Sequence, residues 1–146
     1  MNETIKTKLQ RACEWQGLTF FFDTWNRANR SIEIEMRKND VYPAALMIST
    51  SAGAFQLLTS GTYRQEEIVL ALFERTERDN TALDAEIQAR MIEKAGALLI
   101  ELPVHDLEVV GEQVRYSPFT DRLDENVAGI VLTMTLRDTT AEECKL

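Results

Sequence analysis

The run from Leu83 to Leu102 constrains the fold more than any other part of the chain. Leu83, Ile87, Met91, Ala95, Leu98 and Leu102 recur every three or four residues, and Ile92 and Leu99 widen the stripe. This is the spacing of one apolar helix face. Asp84, Glu86, Gln88, Arg90, Glu93 and Lys94 fill most of the other positions, and Asn80 or Thr81 supplies an oxygen for the first unpaired N–H groups. Pro103 cannot extend the hydrogen-bond ladder, so the helix is expected to stop near Leu102. A helix of about five to six turns with one apolar stripe requires a flat apolar partner, which predicts a sheet.

The remaining segments supply that sheet. Leu18 to Trp25, with Phe20, Phe21 and Phe22 in succession, has strand composition. Aromatic side chains on both faces mean either a central strand or one covered by another subunit. Tyr42-Pro43 leads into a strand over Ala44 to Ile48, and Ala54 to Ser60 forms another strand or a loop rim that Gly61 breaks. Between Ile68 and Phe73 both alternating sets are apolar, the pattern of a central strand. Leu107 to Tyr116 reads as one strand with a bulge or break at Gly111, Ser117 to Asn126 as an exposed loop, and Val127 to Arg137 as a strand with one core face. Ser31 to Met36 alternates like a strand, although Ser31 also suits a helix cap. Met1 to Gln16 predicts a shorter amphipathic helix ended by Gly17, with Trp15 as a core side chain sealing it to the sheet rather than a ligand or subunit contact. The fold class expected is therefore α+β: a largely antiparallel or mixed sheet packed against one long amphipathic helix and a shorter N-terminal one.

Length and charge narrow the functional classes. The 146 residues fit a single domain, 1–146, with 138–146 expected as a flexible tail. No basic region precedes an apolar run, so no membrane span and a cytoplasmic location are expected. Cys13 and Cys144 read as free thiols. A net charge of -8 argues against general affinity for phosphate backbones. Arg27, Arg30, Arg37 and Lys38 form a small basic cluster, read as a solvated loop.

Catalytic signatures do not emerge. The chain has no glycine-rich phosphate loop, Cys-x-x-Cys or Gly-x-Ser-x-Gly elbow. His105 is the single histidine. Its neighbour Asp106 is expected to point the opposite way along an extended segment, and no activated nucleophile accompanies the pair. Glu66, Glu67, Asp121, Asp124 and Glu125 lack the spacing of a calcium loop. No enzyme activity, cofactor or metal is expected.

The ordered pattern resembles the tail terminator (tail completion, or minor tail) proteins of long-tailed bacteriophages and prophages. The resemblance is carried by Phe20-Phe21-Phe22-Asp23-Thr24-Trp25 followed by Ala28-Asn29, by Tyr42-Pro43 before a hydrophobic strand, and by Ile68 to Phe73. The helix Leu83 to Leu102 and the closing run Ala128 to Leu136 complete it. It implies a non-enzymatic protein that caps the tail tube as a hexameric ring, terminates tube polymerisation and joins tail to head. The implied partners are further copies, the tail tube protein and a head-completion protein, with DNA only passing through the lumen. Cytoplasmic assembly and a place in the virion tail follow from the same resemblance, as does helical or irregular structure over Ser31 to Met36. Phe20, Phe21, Phe22, Trp25, Asp121, Arg122, Asp124 and Glu125 are the candidate subunit or partner surface, the acidic loop facing passing DNA without adhering to it. The reading from another class is a monomeric small-ligand or peptide-binding α+β module with a pocket between sheet and main helix.

Overall fold

The computed structural model describes residues 4–22, 41–48, 52–120 and 126–142. The expectations for Ser31 to Met36, for the basic cluster, for Trp25 and for Asp121, Arg122, Asp124 and Glu125 lie outside the described residues. The chain is α+β, with one mixed sheet of seven strands and two helices. In chain order these are α1 (Ile5–Trp15), β1 (Thr19–Phe22), β2 (Ala44–Ile48), β3 (Gly53–Leu58), β4 (Gly61–Arg75) and α2 (Thr81–Glu101). β5 (Leu107–Val109), β6 (Arg115–Thr120) and β7 (Val127–Asp138) follow.

Both helices begin on side-chain caps. The Thr4 hydroxyl accepts from the Thr7 N–H at 3.1 Å, and the Asn80 side chain accepts from the Leu83 N–H at 3.0 Å. Pro103 ends α2 but not the coil of the chain, since Leu102–His105 forms a 3-10 turn. A proline in a first turn loses only an N–H that has no partner there, so the turn tolerates it.

β4 organises the sheet. It is 15 residues long and lies antiparallel to β7 over Gln65 to Arg75. Its other side pairs first with β3, over Gly61 to Glu66, and then with β2, over Val69 to Phe73. The central position expected for Ile68 to Phe73 is therefore the observed one. β1 runs parallel to β2 at one end of the strand order, and β5 and β6 both pair with β7 at the other. Gly129 of β7 sits where a Cβ would meet the Leu72 carbonyl oxygen and come within 2.7 Å of Phe73 Cα, so the two central strands approach only because it has no side chain.

Alternation along the strands divides the core in two. Ile68, Leu70, Leu72, Ile130, Leu132, Met134 and Leu136 face the helices and pack with Ile87, Met91, Ala95, Leu98 and Leu102 of the long helix and its turn, and with Ile5, Leu9, Ala12 and Cys13 of α1. Burying each large side chain of α2 contributes about 2 kcal/mol. On the other face Ala44, Leu46, Ala71, Phe73, Phe119 and Val127 form a second cluster, with Tyr42 and Phe119 edge-on to Phe73.

Of the bulge or break expected at Gly111 within Leu107 to Tyr116, the break is observed: the chain leaves the sheet there, where a φ of 97° suits glycine, and returns as β6. Other expectations are corrected. Ser117 to Thr120 are strand rather than loop, and Pro118 is accommodated on an edge strand where a missing N–H need cost no ladder bond. Trp15 is 74% exposed and seals nothing. Ile92 does not widen the buried stripe but is exposed on the outer side of α2.

Asp138 to Glu142 are held rather than frayed. The Lys8 ammonium donates to the Asp138 carboxylate at 2.7 Å, both side chains being almost wholly buried, and that carboxylate also accepts from the Thr140 N–H at 2.8 Å. Farther on, the Glu142 N–H donates to the Thr62 carbonyl at 2.7 Å, and Arg64 pairs with Glu142. This strap ties the end of β7 to α1 and to the start of β4.

Candidate functional site

The three phenylalanines do not form one patch. Among the described strands β1 lies at an edge; alternation puts Phe21 in the second cluster and Phe20 and Phe22 on the helix-covered side, where Phe22, at the strand end, stays exposed. The Lys6 ammonium stands 4.5 Å from the centroid of the Phe22 ring, close enough for a cation–π contact. Phe22 borders a cleft of about 400 Å³ whose lining also includes Thr4, Lys6, Met47, Gly53 and Glu66. A second cleft, about 310 Å³, runs beside α2 along Gln16, Pro43, Glu74, Arg90 and Lys94. Its polar groups are largely paired with each other: Arg90 with Glu74 at 2.8 Å, and Lys94 with the Gln16 carbonyl at 2.7 Å. Ile87, Met91 and Leu98 of α2 are buried against the sheet.

Nothing among the described residues assembles a reactive centre. His105 lies in the 3-10 turn, not in an extended segment, with Nε2 3.4 Å from a Glu101 carboxylate oxygen. Asp106 follows in left-handed geometry and its N–H closes onto the Pro103 carbonyl. No group of three or more His, Cys, Asp or Glu side chains converges among the described residues. Burial, reinforced by the neighbouring Glu14 carboxylate, pushes the Cys13 thiol up to about 12, which leaves it without thiolate character near neutral pH.

Exposed apolar surface is the distinguishing feature. Ala85, Ala89, Ile92, Gly96 and Ile100 step by three and four along the outer side of α2 and are all exposed, with Val104 beyond them. Thus α2 is apolar on two sides and charged along the remainder. Trp15 projects from the end of α1, and Phe55, Leu57 and Leu58 project from β3. Residue types alone do not reveal these surfaces, although one signal is readable: the run from Val41 to Tyr63 contains no Asp, Glu, Lys, Arg or His. The outer row of α2 is hard to read because Ile92 sits beside the buried stripe, against which Leu99 does pack.

No helix among the described residues is long and apolar enough to cross a membrane. The sequence matches no family model and no curated protein.

Proposed function

We propose that this chain is a structural protein of the tail terminator type, which caps a phage or prophage tail tube as a hexameric ring, stops tube polymerisation and joins tail to head. The reading is non-enzymatic. It is supported chiefly by large apolar side chains exposed on separate parts of one fold: Trp15 on α1, Phe22 on β1, and the outer row of α2 with Ile92 and Ile100. A ring requires a head-to-tail contact in which one patch meets a different patch on the next copy, and a chain with several unlike apolar surfaces has the necessary material. The order of elements, with an aromatic edge strand, a long central strand and one clamping helix, agrees with the resemblance. The net charge of -8 suits a conduit through which DNA passes without adhering. Tail tube protein, a head-completion protein and further copies of the chain are the partners this reading implies, with assembly in the cytoplasm and a final place in the virion tail.

The test is tube growth. Cognate tail tube protein is polymerised with increasing amounts of this chain, and tube lengths and ends are measured by electron microscopy. Shorter tubes bearing a terminal ring are expected; an unchanged length distribution with bare ends would sink the reading.

A further inference from the structure

The edges of the sheet are protected unequally. β5 has only three residues and carries Glu108, and β6 carries Arg115 and Pro118, the devices that discourage an edge from pairing with another chain. β3 has neither. Its six residues, Gly53 to Leu58, include no charge and no proline, and Phe55, Leu57 and Leu58 are 66%, 78% and 45% exposed. One side of β3 pairs with β4, and among the described residues no strand occupies the other.

The backbone defines what completes such an edge. A free strand presents alternating N–H and C=O groups, and these are satisfied in register only by another extended strand. Charge selects which strand. Two copies each carrying -8 repel over most of their surfaces, whereas β3 lies in the charge-free run from Val41 to Tyr63, and two cations that reach it, Arg64 across the hairpin and Arg137, which donates to the Gln56 side chain at 2.6 Å, are paired with Glu142 and Glu108. This uncharged edge is one where a second copy approaches without like-charge opposition.

We propose that β3 pairs antiparallel with β3 of a second copy across a two-fold axis, so that one sheet runs through both molecules. Phe55 and Leu57 share the helix-covered face of the sheet, because they pair with Arg64 and Thr62, which stand in alternation with Ile68 and Leu70. A two-fold axis perpendicular to the sheet keeps that face on the same side in both copies. The register that satisfies this places Gln56 at the axis and Phe55 of each copy opposite Leu57 of the other, forming two aromatic–aliphatic cross-strand pairs. The contact goes beyond the ring reading: ring contacts are head to tail, whereas this one is isologous and joins two free copies or two rings.

Sedimentation velocity on the full chain, with a disulfide trap, tests it. Wild type is expected to form a dimer, and Leu57→Glu to weaken it by about tenfold or more without altering the circular dichroism spectrum or the thermal transition. In a Cys144→Ser background, Gln56→Cys is expected to give a cross-linked dimer under mild oxidation, while Glu112→Cys, on an exposed turn, does not. A wild type that stays monomeric at every concentration reached overturns the pairing. So does a dimer indifferent to Leu57→Glu, or one that depends on Leu57 yet never cross-links through position 56. The two readings fail separately. A monomer that still caps tubes removes the two-fold contact alone, and a Leu57-dependent dimer without effect on tubes removes the terminator reading alone.

Discussion

β4 passes through two regions that obey opposite rules. From Ile68 to Phe73 it lies between β2 and β7, and Ile68, Leu70, Ala71, Leu72 and Phe73 are fully buried. From Gly61 to Arg64 it runs beyond β7 as one arm of a hairpin with β3, where Phe55, Leu57 and Leu58 stand in water. Strand geometry is common to both. Only the first region has helices laid across it, so apolar residues stabilise the fold there, and the same residue types on the arm contribute little to the stability of an isolated copy. In the proposed pairing they are the residues that meet a second copy.

The most severe way to break this comparison is to place one charge in each region. Leu98→Asp puts a carboxylate at a fully buried position of the helix-covered core, and is expected to cost about 4 kcal/mol or more by urea unfolding. The same measurement on Leu57→Asp is expected to stay within about 0.5 kcal/mol, because that side chain is 78% exposed. Equal losses at the two positions would mean that the arm is part of the core after all.

A smaller effect is expected where the two regions are tied together. The strap from Asp138 to Glu142 crosses from the packed centre to the turn end of the arm at Thr62, and its anchor is the buried Lys8–Asp138 pair. Removing one partner leaves a charge stranded, so Lys8→Ala is expected to lose about 3 kcal/mol. Lys8→Met combined with Asp138→Leu removes both charges while filling the space, and is expected to recover most of that loss. If the double variant is no better than the single one, the Asp138 bond to the Thr140 N–H is holding the strap, rather than the ion pair.

How far this division could be read from residue types depends on which interactions are local. The faces of α2, α1, β4 and β7 follow from periodicity, because a buried stripe must repeat with its helix or strand, and Ile87, Leu98, Ile130 and Leu132 all lie where their spacing puts them. Pro118 and Ser117 conceal β6, since turn-forming residues are tolerated on an edge strand only when a long neighbour such as β7 supplies the pairing. Lys8 and Asp138, separated by 130 positions, carry no local sign that they meet. The exposure of Trp15 likewise depends on how α1 lies against the 3-10 turn and the sheet, which no short window encodes. Among the candidate partner residues, the aromatic strand is legible as a strand, but its end at Phe22, which composition does not mark, leaves that residue alone among the three phenylalanines exposed, although it shares a face with Phe20.

The mildest prediction concerns how dry the centre is. Cys13 lies on the buried side of α1, and its thiol is raised from an ordinary 9.0 to about 12 by burial first and by Glu14 second. Once the pH passes 9.0 the unfolded chain releases this proton while the folded chain keeps it, so the unfolded state is favoured and stability falls as pH rises through the window up to about 12. The slope from this one group is up to about 1.4 kcal/mol per pH unit. Other groups titrate in the same range, so the measurement is a difference: urea unfolding of wild type and of Cys13→Ala between pH 8 and pH 10.5, values set by the about 9 and about 12 limits of the titration. The stability gap between the two proteins should narrow, or turn in favour of Cys13→Ala, as pH rises. A gap that stays constant would mean that the thiol already meets water in the folded chain, and that the boundary between the dry centre and the wet arm runs inside α1.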